Sequence, residues 1–331
     1  MEKRENSIIT LSKPPITVYP SIANVLSIVW DSEDKNICAW FCDHFIQLLV
    51  RPFHEDTFGD FYDHADLDNF FRILYGMPGL DWMRINSRCF SSETFTDYIE
   101  SVIDRGYCIE ACLDRYYFSF DECYKKTHFI HSSLIYGYDR EKDEIYIKDF
   151  WADGNYQTKI AKYHEVNDSM NNDWIINLFM KQKTEYKFDK KLMMKYFEDF
   201  YYSRDSFAKF EHSNKQYNKG ALFGLDYYDY IGNNIYKREK PDVRMFHILY
   251  EHKRLMKYRL KYLMQSNEYN HEMIRILLEN NDRLIDESLL LRNIVIKYGI
   301  NKNEALYDGI QKQIEKLKDM DKEFVRKVLL I

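Results

Sequence analysis

The spacing of hydrophobic residues changes along the chain from a helical to an alternating pattern and back. In the segment NICAWFCDHFIQLLV, apolar side chains recur at helical spacing, which predicts a helix capped by Asp34 or Asn36. A second helix is predicted over residues 92–105, preceded by two serines that could cap it and followed by Gly106. The apolar positions of the first helix are Trp40, Phe41, Phe45, Leu48 and Leu49.

Between residues 107 and 148 the pattern becomes that of β-strands. Three short runs, 107–113, 128–138 and 144–148, are rich in aromatic and β-branched residues. The charged turn DREKD separates the last two runs, so we predict a β-hairpin there. Helices followed by strands indicate an α+β arrangement.

After about residue 185 the strand signals cease, and three long helices are predicted within residues 241–331. Gly299 is expected to break the run before the last helix. The sequence therefore predicts two domains, an α+β domain at residues 1–185 and a helical domain at residues 186–331. The core positions of the three helices are Leu249, Met256, Leu260 and Leu263, then Ile274, Leu277, Leu284 and Ile285, then Ile310, Ile314 and Leu317.

Composition narrows the class of protein. Of the 331 residues, 45% are hydrophobic and 17% aromatic, which is enough for two packed cores and excludes a disordered chain. The net charge of −6 gives no overall attraction to nucleic acid. Because no apolar run suits a signal peptide or a membrane helix, we expect a cytoplasmic protein without a membrane partner. In that reducing compartment the six cysteines should be free thiols.

Three residues carry the parts of an activated thiol. Cys38 begins the first predicted helix, where the positive end of the helix dipole favours a thiolate. His131 begins a predicted strand, and Asp149 ends the next one. Because a hairpin places the start of one strand beside the end of its neighbour, Asp149 should reach the His131 ring. Nucleophile, base and base-orienting acceptor are what covalent catalysis needs. Taken alone, a cysteine at a helix start is as often a buried core residue.

Zinc binding is an alternative use of the cysteines. The pairs Cys38/Cys42 and Cys108/Cys112 have spacings that zinc accepts, but both pairs lie in apolar elements and not on glycine-rich turns. We therefore predict no metal. A run of basic residues at 253–261 could dock an acidic carrier protein, although a solvated helix face is the commoner use of such a run.

The segment around the predicted hairpin resembles known motifs. HSSLIYGYD, with His131 and Gly137 six residues apart, is similar to the papain-like pattern in which the catalytic histidine precedes a strand ending in Gly-Tyr. IKDFW is similar to the papain-family IKNSW, with Asp149 in place of the Asn and Trp151 matching the Trp that covers the catalytic pair. The longer text LDRYYFSFDECYKKTHFIHSSLIYGYDREKDEIYIKDF resembles the N-terminal domain of the butirosin-biosynthesis protein H family, and YGMPGLDW resembles that family's glycine turn. The resemblance covers about residues 30–165.

This resemblance implies a papain-like cysteine-protease fold and an acyltransferase of natural-product, including antibiotic, biosynthesis. Members of the family take an acyl chain from a carrier-protein thioester onto a catalytic Cys, here Cys38, and pass it to an amine to form an amide. The implied partners are an acyl or peptidyl carrier protein and a small amine, and no cofactor is implied beyond the carrier's phosphopantetheine. The chain departs from the family in the residues after its Cys, Ala39 and Trp40.

The oxyanion-binding group is not given by the motifs. No Gln lies upstream of Cys38 at the papain spacing, so the candidate donors are the Asn36 side chain and the Cys38 backbone N–H. The resemblance also brings in Asp114, as either a structural carboxylate or a contact to the substrate amine. His128 is either structural or substrate-binding.

Aromatic residues could line a narrow site that favours an amine over water. Tyr116, Tyr117 and Trp151 are candidates, together with the aromatic stretch 53–71. Two other functions share the same residues. A cysteine hydrolase, either a peptidase or a thioesterase, would form the same acyl-enzyme. A non-catalytic binding module could retain the fold, although an intact Cys–His–Asp set argues against it.

Overall fold

The computed structural model describes residues 4–52, 57–61, 77–89, 95–152, 154–170, 175–206, 208, 220–234 and 241–331. The chain forms two compact units, each built from two stretches of sequence. The first unit is Met1–Asp31 with Met77–Glu185, and the second is Ser32–Gly76 with Tyr186–Ile331. The predicted division at residue 185 coincides with the end of the first unit. Residues 32–76, which we expected in the first domain, instead group with the helical residues after 186.

The elements alternate between strands and helices in the first part of the chain and are mostly helical after residue 189. The strands are β1 (Asn6–Ile8), β2 (Leu48–Pro52), β3 (Thr57–Phe61), β4 (Leu80–Asn86), β5 (Cys108–Asp114), β6 (Ile130–Asp139), β7 (Glu144–Phe150), β8 (Tyr156–Ala161), β9 (Ile175–Lys181) and β10 (Leu222–Phe223). The helices are α1 (Pro20–Val29), α2 (Lys35–Asp43), α3 (Phe95–Ile103), α4 (Tyr163–Ser169), α5 (Lys190–Tyr201), α6 (Asp226–Asn234), α7 (Val243–Leu263), α8 (His271–Asn301) and α9 (Ala305–Val328).

The first unit is built on an antiparallel sheet with the strand order β4-β9-β5-β6-β7-β8, in which β1 also pairs with β6. Helix α3 packs against β5 and β6, while α1 packs against β6, β7 and β9. Side chains alternate between the two faces of a strand. One face therefore carries Ile109, Ala111 and Leu113 of β5 into a core that also contains residues of α3. The α+β class predicted from the sequence is confirmed at this level.

The predicted hairpin is present as β6 and β7, which pair from Asp139↔Glu144 to Leu134↔Lys148 with a register shift between Ile135 and Gly137. Gly137 is required for packing. A Cβ at this position would lie 2.9 Å from the Ser7 carbonyl oxygen, where β1 pairs with β6. The Gly of the Gly-Tyr motif thus allows the N-terminal strand to join the sheet.

Helix α3 begins at Phe95 and so lies inside the predicted range 92–105, whereas Ser91 and Ser92 are outside the described residues. Gly106 follows it with φ +89°. The N–H groups of Gly106 and Tyr107 donate to the carbonyls of Ile103 and Val102 at 2.9 and 3.2 Å. This is the glycine-terminated helix end that the sequence predicted.

In the second unit, α2 is shorter than the sequence predicted. The helix ends at Asp43, and Phe45 has a positive φ of 56°. Residues from Leu48 onward form β2, which pairs with β3 and β10. The helical prediction is therefore wrong for the part of the segment after Asp43. The apolar residues there satisfy both periodicities, and pairing with distant strands decides between them.

The three long helices are confirmed as α7, α8 and α9. Buried positions of α8 alternate at spacings of three and four residues, as in a coiled coil: Ile274, Leu277, Asn281, Leu284, Ser288, Leu291 and Val295. The predicted break at Gly299 is wrong, because α8 continues to Asn301, and it is the following residue, Lys302, that has a left-handed conformation with φ 48°. Within the described part of the chain, no helix is both long and apolar enough to span a bilayer.

Candidate active site

The predicted base and its partner meet at one end of the sheet in the first unit. His131 is the second residue of β6 and pairs with Leu113 of β5. The register Leu134↔Lys148 places Ser133 opposite Asp149, two positions from His131 on the same face of the sheet. The local hairpin is therefore enough to bring the histidine and the carboxylate together.

His131 Nδ1 lies 2.8 Å from Asp149 Oδ1 and 2.9 Å from Oδ2. Asp149 is fully buried, whereas 24% of the His131 side chain is exposed. A carboxylate only accepts, so Nδ1 carries the proton and donates it to Asp149, which leaves the lone pair of the neutral ring on Nε2. Among the described residues, Nε2 has no hydrogen-bond partner. This is the tautomer that a general base needs.

Asp149 also accepts from three other donors. Ser133 Oγ lies 2.7 Å from Oδ2, Arg115 Nη2 lies 3.0 Å from the same oxygen, and the Phe150 N–H lies 2.6 Å from Oδ1. Together with His131, these donors satisfy both oxygens of a carboxylate that water cannot reach. The carboxylate is thus fixed in one orientation, and the imidazole that it binds is fixed with it.

Arg115 is a member of the site that our sequence interpretation missed. Its guanidinium is nearly fully buried, donates to the Phe150 carbonyl and Asp149, and lies 3.7 Å from Asp121. Arg115 Nη2 is 3.3 Å from His131 Nδ1, but both atoms are donors, so they are neighbours only because both bind Asp149. Sequence spacing did not indicate this position: Arg115 follows Leu113 by two residues, and the pairing of Leu113 with His131 in the sheet brings Arg115 to the site.

The resemblance implies that Trp151 covers the catalytic pair, whereas its contacts in the structure are with Arg115 and Gln157. Its indole packs on the Arg115 guanidinium at 4.8 Å, and its Nε1–H donates to the Gln157 carbonyl at 2.8 Å. The ring that stacks on His131 is Phe129, with centroids 5.6 Å apart and an interplanar angle of 19°. Phe129 was not among the predicted site residues, and it is 45% exposed.

A second His–Asp pair lies beside the first. Asp114 Oδ2 is 2.6 Å from His128 Nδ1, while Oδ1 accepts from the backbone N–H groups of Tyr116 and Phe129, both at 3.1 Å. The His128 ring is 63% exposed and stacks on Tyr116 with centroids 4.1 Å apart. Asp114 therefore organises the loop between β5 and β6, which fits the structural alternative. Contact of Asp114, Tyr116 or His128 with a substrate stays a prediction.

Cys38 and Asn36 belong to the second unit, so the structure groups them with the long helices and not with the His131 pair. Of the two predicted caps, Asp34 and Asn36, the N-cap of α2 is Asp34. The Cys38 N–H donates to the Asp34 carbonyl at 3.0 Å, which commits one of the two candidate oxyanion donors to the helix. The Asn36 Oδ1 accepts from the Tyr186 N–H at 3.1 Å, which leaves the NH₂ group of Asn36 as the donor. The catalytic roles of both residues stay predictions.

The cysteines differ in exposure. Cys38 is partly exposed, and its Sγ lies 3.2 Å from the Ser32 carbonyl oxygen. Burial raises the pKa of Cys108 to about 12 and that of Cys112 to about 11, and it raises the pKa of Cys42 further still. Over the described ranges, no three His, Cys, Asp or Glu side chains gather in a group that could hold a metal ion.

The basic run at 253–261 is not exposed to solvent along its whole length, and docking of a carrier protein by its exposed residues stays a prediction. Lys253 and Arg259 are buried inside the second unit. Lys253 pairs with the buried Asp321, and Lys257 binds Asp282 at 2.6 Å. The basic residues of the run lie on both the buried and the solvent-facing sides of α7. Their closeness in sequence therefore suggested more positive charge on the surface than the structure has.

The chain matches no known protein-family model, and no curated protein matches it.

Proposed function

We propose that this protein is a cysteine-dependent acyltransferase that forms amides, with Cys38 as nucleophile, His131 as base and Asp149 as orienting acceptor. The observation that supports the proposal best is the His131 Nδ1–Asp149 pair, with a buried carboxylate and a ring nitrogen, Nε2, left to take a proton. The motif text around the pair supports the same class of reaction, because it resembles the butirosin-biosynthesis protein H family.

The proposed reaction has two halves. His131 Nε2 takes the Cys38 proton, the thiolate attacks the carbonyl carbon of a carrier-bound thioester, and the phosphopantetheine thiol leaves with the proton from the imidazolium. In the second half an amine attacks the acyl-Cys38 carbonyl, and His131 takes one amine proton. The carbon–sulfur bond then breaks, the amide leaves, and the proton returns to the Cys38 sulfur.

A papain-like fold is part of the proposal. Its supports are an antiparallel sheet with the histidine at the start of one strand and the carboxylate at the end of the next, and a cysteine in the first turns of a helix. The proposed partners are an acyl or peptidyl carrier protein and a small amine in the cytoplasm. The proposal includes no metal and no cofactor other than the carrier's phosphopantetheine.

The test supplies an acyl thioester of phosphopantetheine with and without a primary amine. We expect amide formation with amine and little free acid without it, because a site that positions the amine gives it a high effective concentration. Cys38→Ala should abolish acyl loss, and His131→Ala should reduce it nearly as far, since such residues act as a unit. Cys89→Ala, which changes an exposed cysteine, is the matched control and should keep full activity.

Three results would contradict the proposal. Equal release of free acid with and without amine, and no amide, would assign a hydrolase instead. Full activity of Cys38→Ala would remove Cys38 as the nucleophile. If the wild-type protein leaves every thioester intact but binds the carrier, the non-catalytic alternative is correct.

A further inference from the structure

The helix that carries Cys38 is closed at its far end by a buried arginine. Arg259 of α7 is 1% exposed. Its Nε donates to the Cys42 carbonyl at 2.9 Å, and its Nη2 donates to the carbonyls of Phe41 and His44 at 2.9 and 2.6 Å. The last carbonyl groups of a helix have no partner within the helix, so a side chain that binds them stabilises the final turn.

This arrangement matters more for α2 than for a long helix, because α2 has only nine residues. Cys38 therefore lies about one turn from the carbonyls that Arg259 binds. At the other end, the Asp34 carboxylate accepts from the N–H groups of Asn36 and Ile37 at 2.9 and 3.5 Å. Both ends of the helix are thus fixed by charged side chains of the same unit.

The two charges act in opposite directions on a thiol in this helix. The Asp34 carboxylate opposes the positive end of the helix dipole, whereas the Arg259 guanidinium opposes the negative end. The effect of Arg259 is visible at Cys42, where burial raises the thiol pKa and the Arg259 charge lowers it. Three other groups lie close to these thiols: Asp43 on α2, Tyr262 on α7, and Tyr269 after α7. The pKa values of both tyrosines are raised, mainly by burial and further by the neighbouring Cys42.

We propose that Arg259 is a positioning residue for Cys38: by binding the last carbonyls of α2, its guanidinium fixes the length of the helix and supplies the positive charge that favours a Cys38 thiolate. The inference rests on the proposed function in one respect only: that function makes the Cys38 thiolate the nucleophile. Its geometric basis lies wholly within the second unit. The proposal also gives the long helices of the second unit a role. Helix α7 binds carbonyls of residues 41–44 through Arg259, and its His252 Nε2 lies 2.7 Å from the Ile46 carbonyl oxygen.

The test measures iodoacetamide labelling of Cys38 as a function of pH in the full-length protein, by mass spectrometry of the Cys38 peptide. In Arg259→Met, labelling at neutral pH should fall about two- to fivefold and the pH of half-maximal labelling should rise, since a charge at a helix end has an effect of this size. The limiting rate at high pH should be unchanged. Arg259→Lys keeps the charge and should stay close to the wild-type profile.

Two controls separate charge from folding. Arg254→Met removes a partly exposed charge from the same helix and should leave the profile unchanged. Cys42 is fully buried, so it should stay unlabelled in every variant that remains folded. If Arg259→Met exposes Cys42, the experiment uses Arg259→Gln in place of Arg259→Met, because the Gln amide can still donate to a carbonyl without carrying a charge.

A wild-type labelling profile in a neutral Arg259 variant, with Cys42 still protected, would overturn the proposal. So would a profile in Arg259→Lys that matches Arg259→Met, because the charge would then have no effect. Neither outcome depends on acyl transfer. Loss of the proposed function would be seen separately, as full transferase activity of Cys38→Ala.

Discussion

Replacement of Asp149 by Asn tests how far the papain comparison extends. The motif comparison predicts a mild effect, because papain-like sites work with Asn as the orienting group. The structure predicts a larger one. Asp149 offers two oxygens to Ser133, Arg115, His131 and a backbone N–H, whereas Asn would offer one. His131 and Arg115 would compete for that oxygen, and a buried guanidinium would lose its carboxylate partner.

The expected cost follows from the burial of the pair. Breaking a buried ion pair by removing one partner costs about 3–5 kcal/mol. Arg115 would keep the Phe150 carbonyl and the more distant Asp121, at 3.7 Å, so we expect the lower end of that range. A loss of about 3 kcal/mol lowers the melting temperature of a domain of this size by about 6–12 °C.

A double-mutant cycle measures the coupling. Wild type, Asp149→Asn, Arg115→Met and the double variant are unfolded in urea, and the thioester assay is run on each. We expect a coupling energy above about 1 kcal/mol, since residues in contact are not additive. The double variant should also regain activity relative to Asp149→Asn, because the introduced amide would then bind His131 without a competing cation. The exposed pair Glu272–Arg275 is the control cycle and should couple by less than about 1 kcal/mol.

Additive free energies of unfolding, within about 0.5 kcal/mol, would refute this reasoning. The reasoning would also be refuted if Asp149→Asn were as active and as stable as wild type. That result would show that the other hydrogen-bond partners of Arg115 are sufficient to stabilise its charge.

Two further predictions concern the first unit. Burial raises the pKa of Glu110 from 4.5 to about 6, although Asn24 and Asn177 donate to it, so the folded state binds the proton more tightly. Stability should therefore fall by about 2 kcal/mol in total as the pH rises from well below 4.5 to well above 6, and urea titrations of Glu110→Gln should lack this fall. Gly137→Ala should cost about 1–3 kcal/mol in the same assay, because the new Cβ would meet the Ser7 carbonyl, and a cost below about 0.5 kcal/mol would mean that β1 does not need this glycine.

The parts of the site that could be predicted from the sequence are those fixed by local pairing. His131 and Asp149 meet because one hairpin joins them, and the charged turn and strand periodicity specify that hairpin. The position of Arg115 follows from the pairing of β5 with β6, which sequence spacing did not fix. The basic run at 253–261 was misjudged because periodicity alone does not reveal that the partner of Arg259 is a helix end.

The grouping of residues 32–76 with the second unit could not be predicted for the same reason. Arg259 binds the carbonyl of Cys42 across 217 residues of sequence, and no local pattern records a contact of that length. The end of α2 at Asp43 depends on the pairing of β2 with β3 and β10, and β10 lies far along the chain. Helix α8 continues through Gly299 for two further residues, because the cost of one glycine, about 1 kcal/mol relative to alanine, is small enough for the last turn of a long helix to absorb.

The closure of the Cys38 helix by Arg259 has a consequence for biosynthesis of the protein. The Cys38 segment leaves the ribosome early, and Arg259 is added 217 residues after Cys42, which corresponds to about 10–40 s of translation. Until then the nine-residue α2 lacks the side chain that binds its last carbonyls, and a helix this short is only marginally stable by itself. The Cys38 thiol therefore reaches its final environment only late in synthesis, after α7 has been added to the chain.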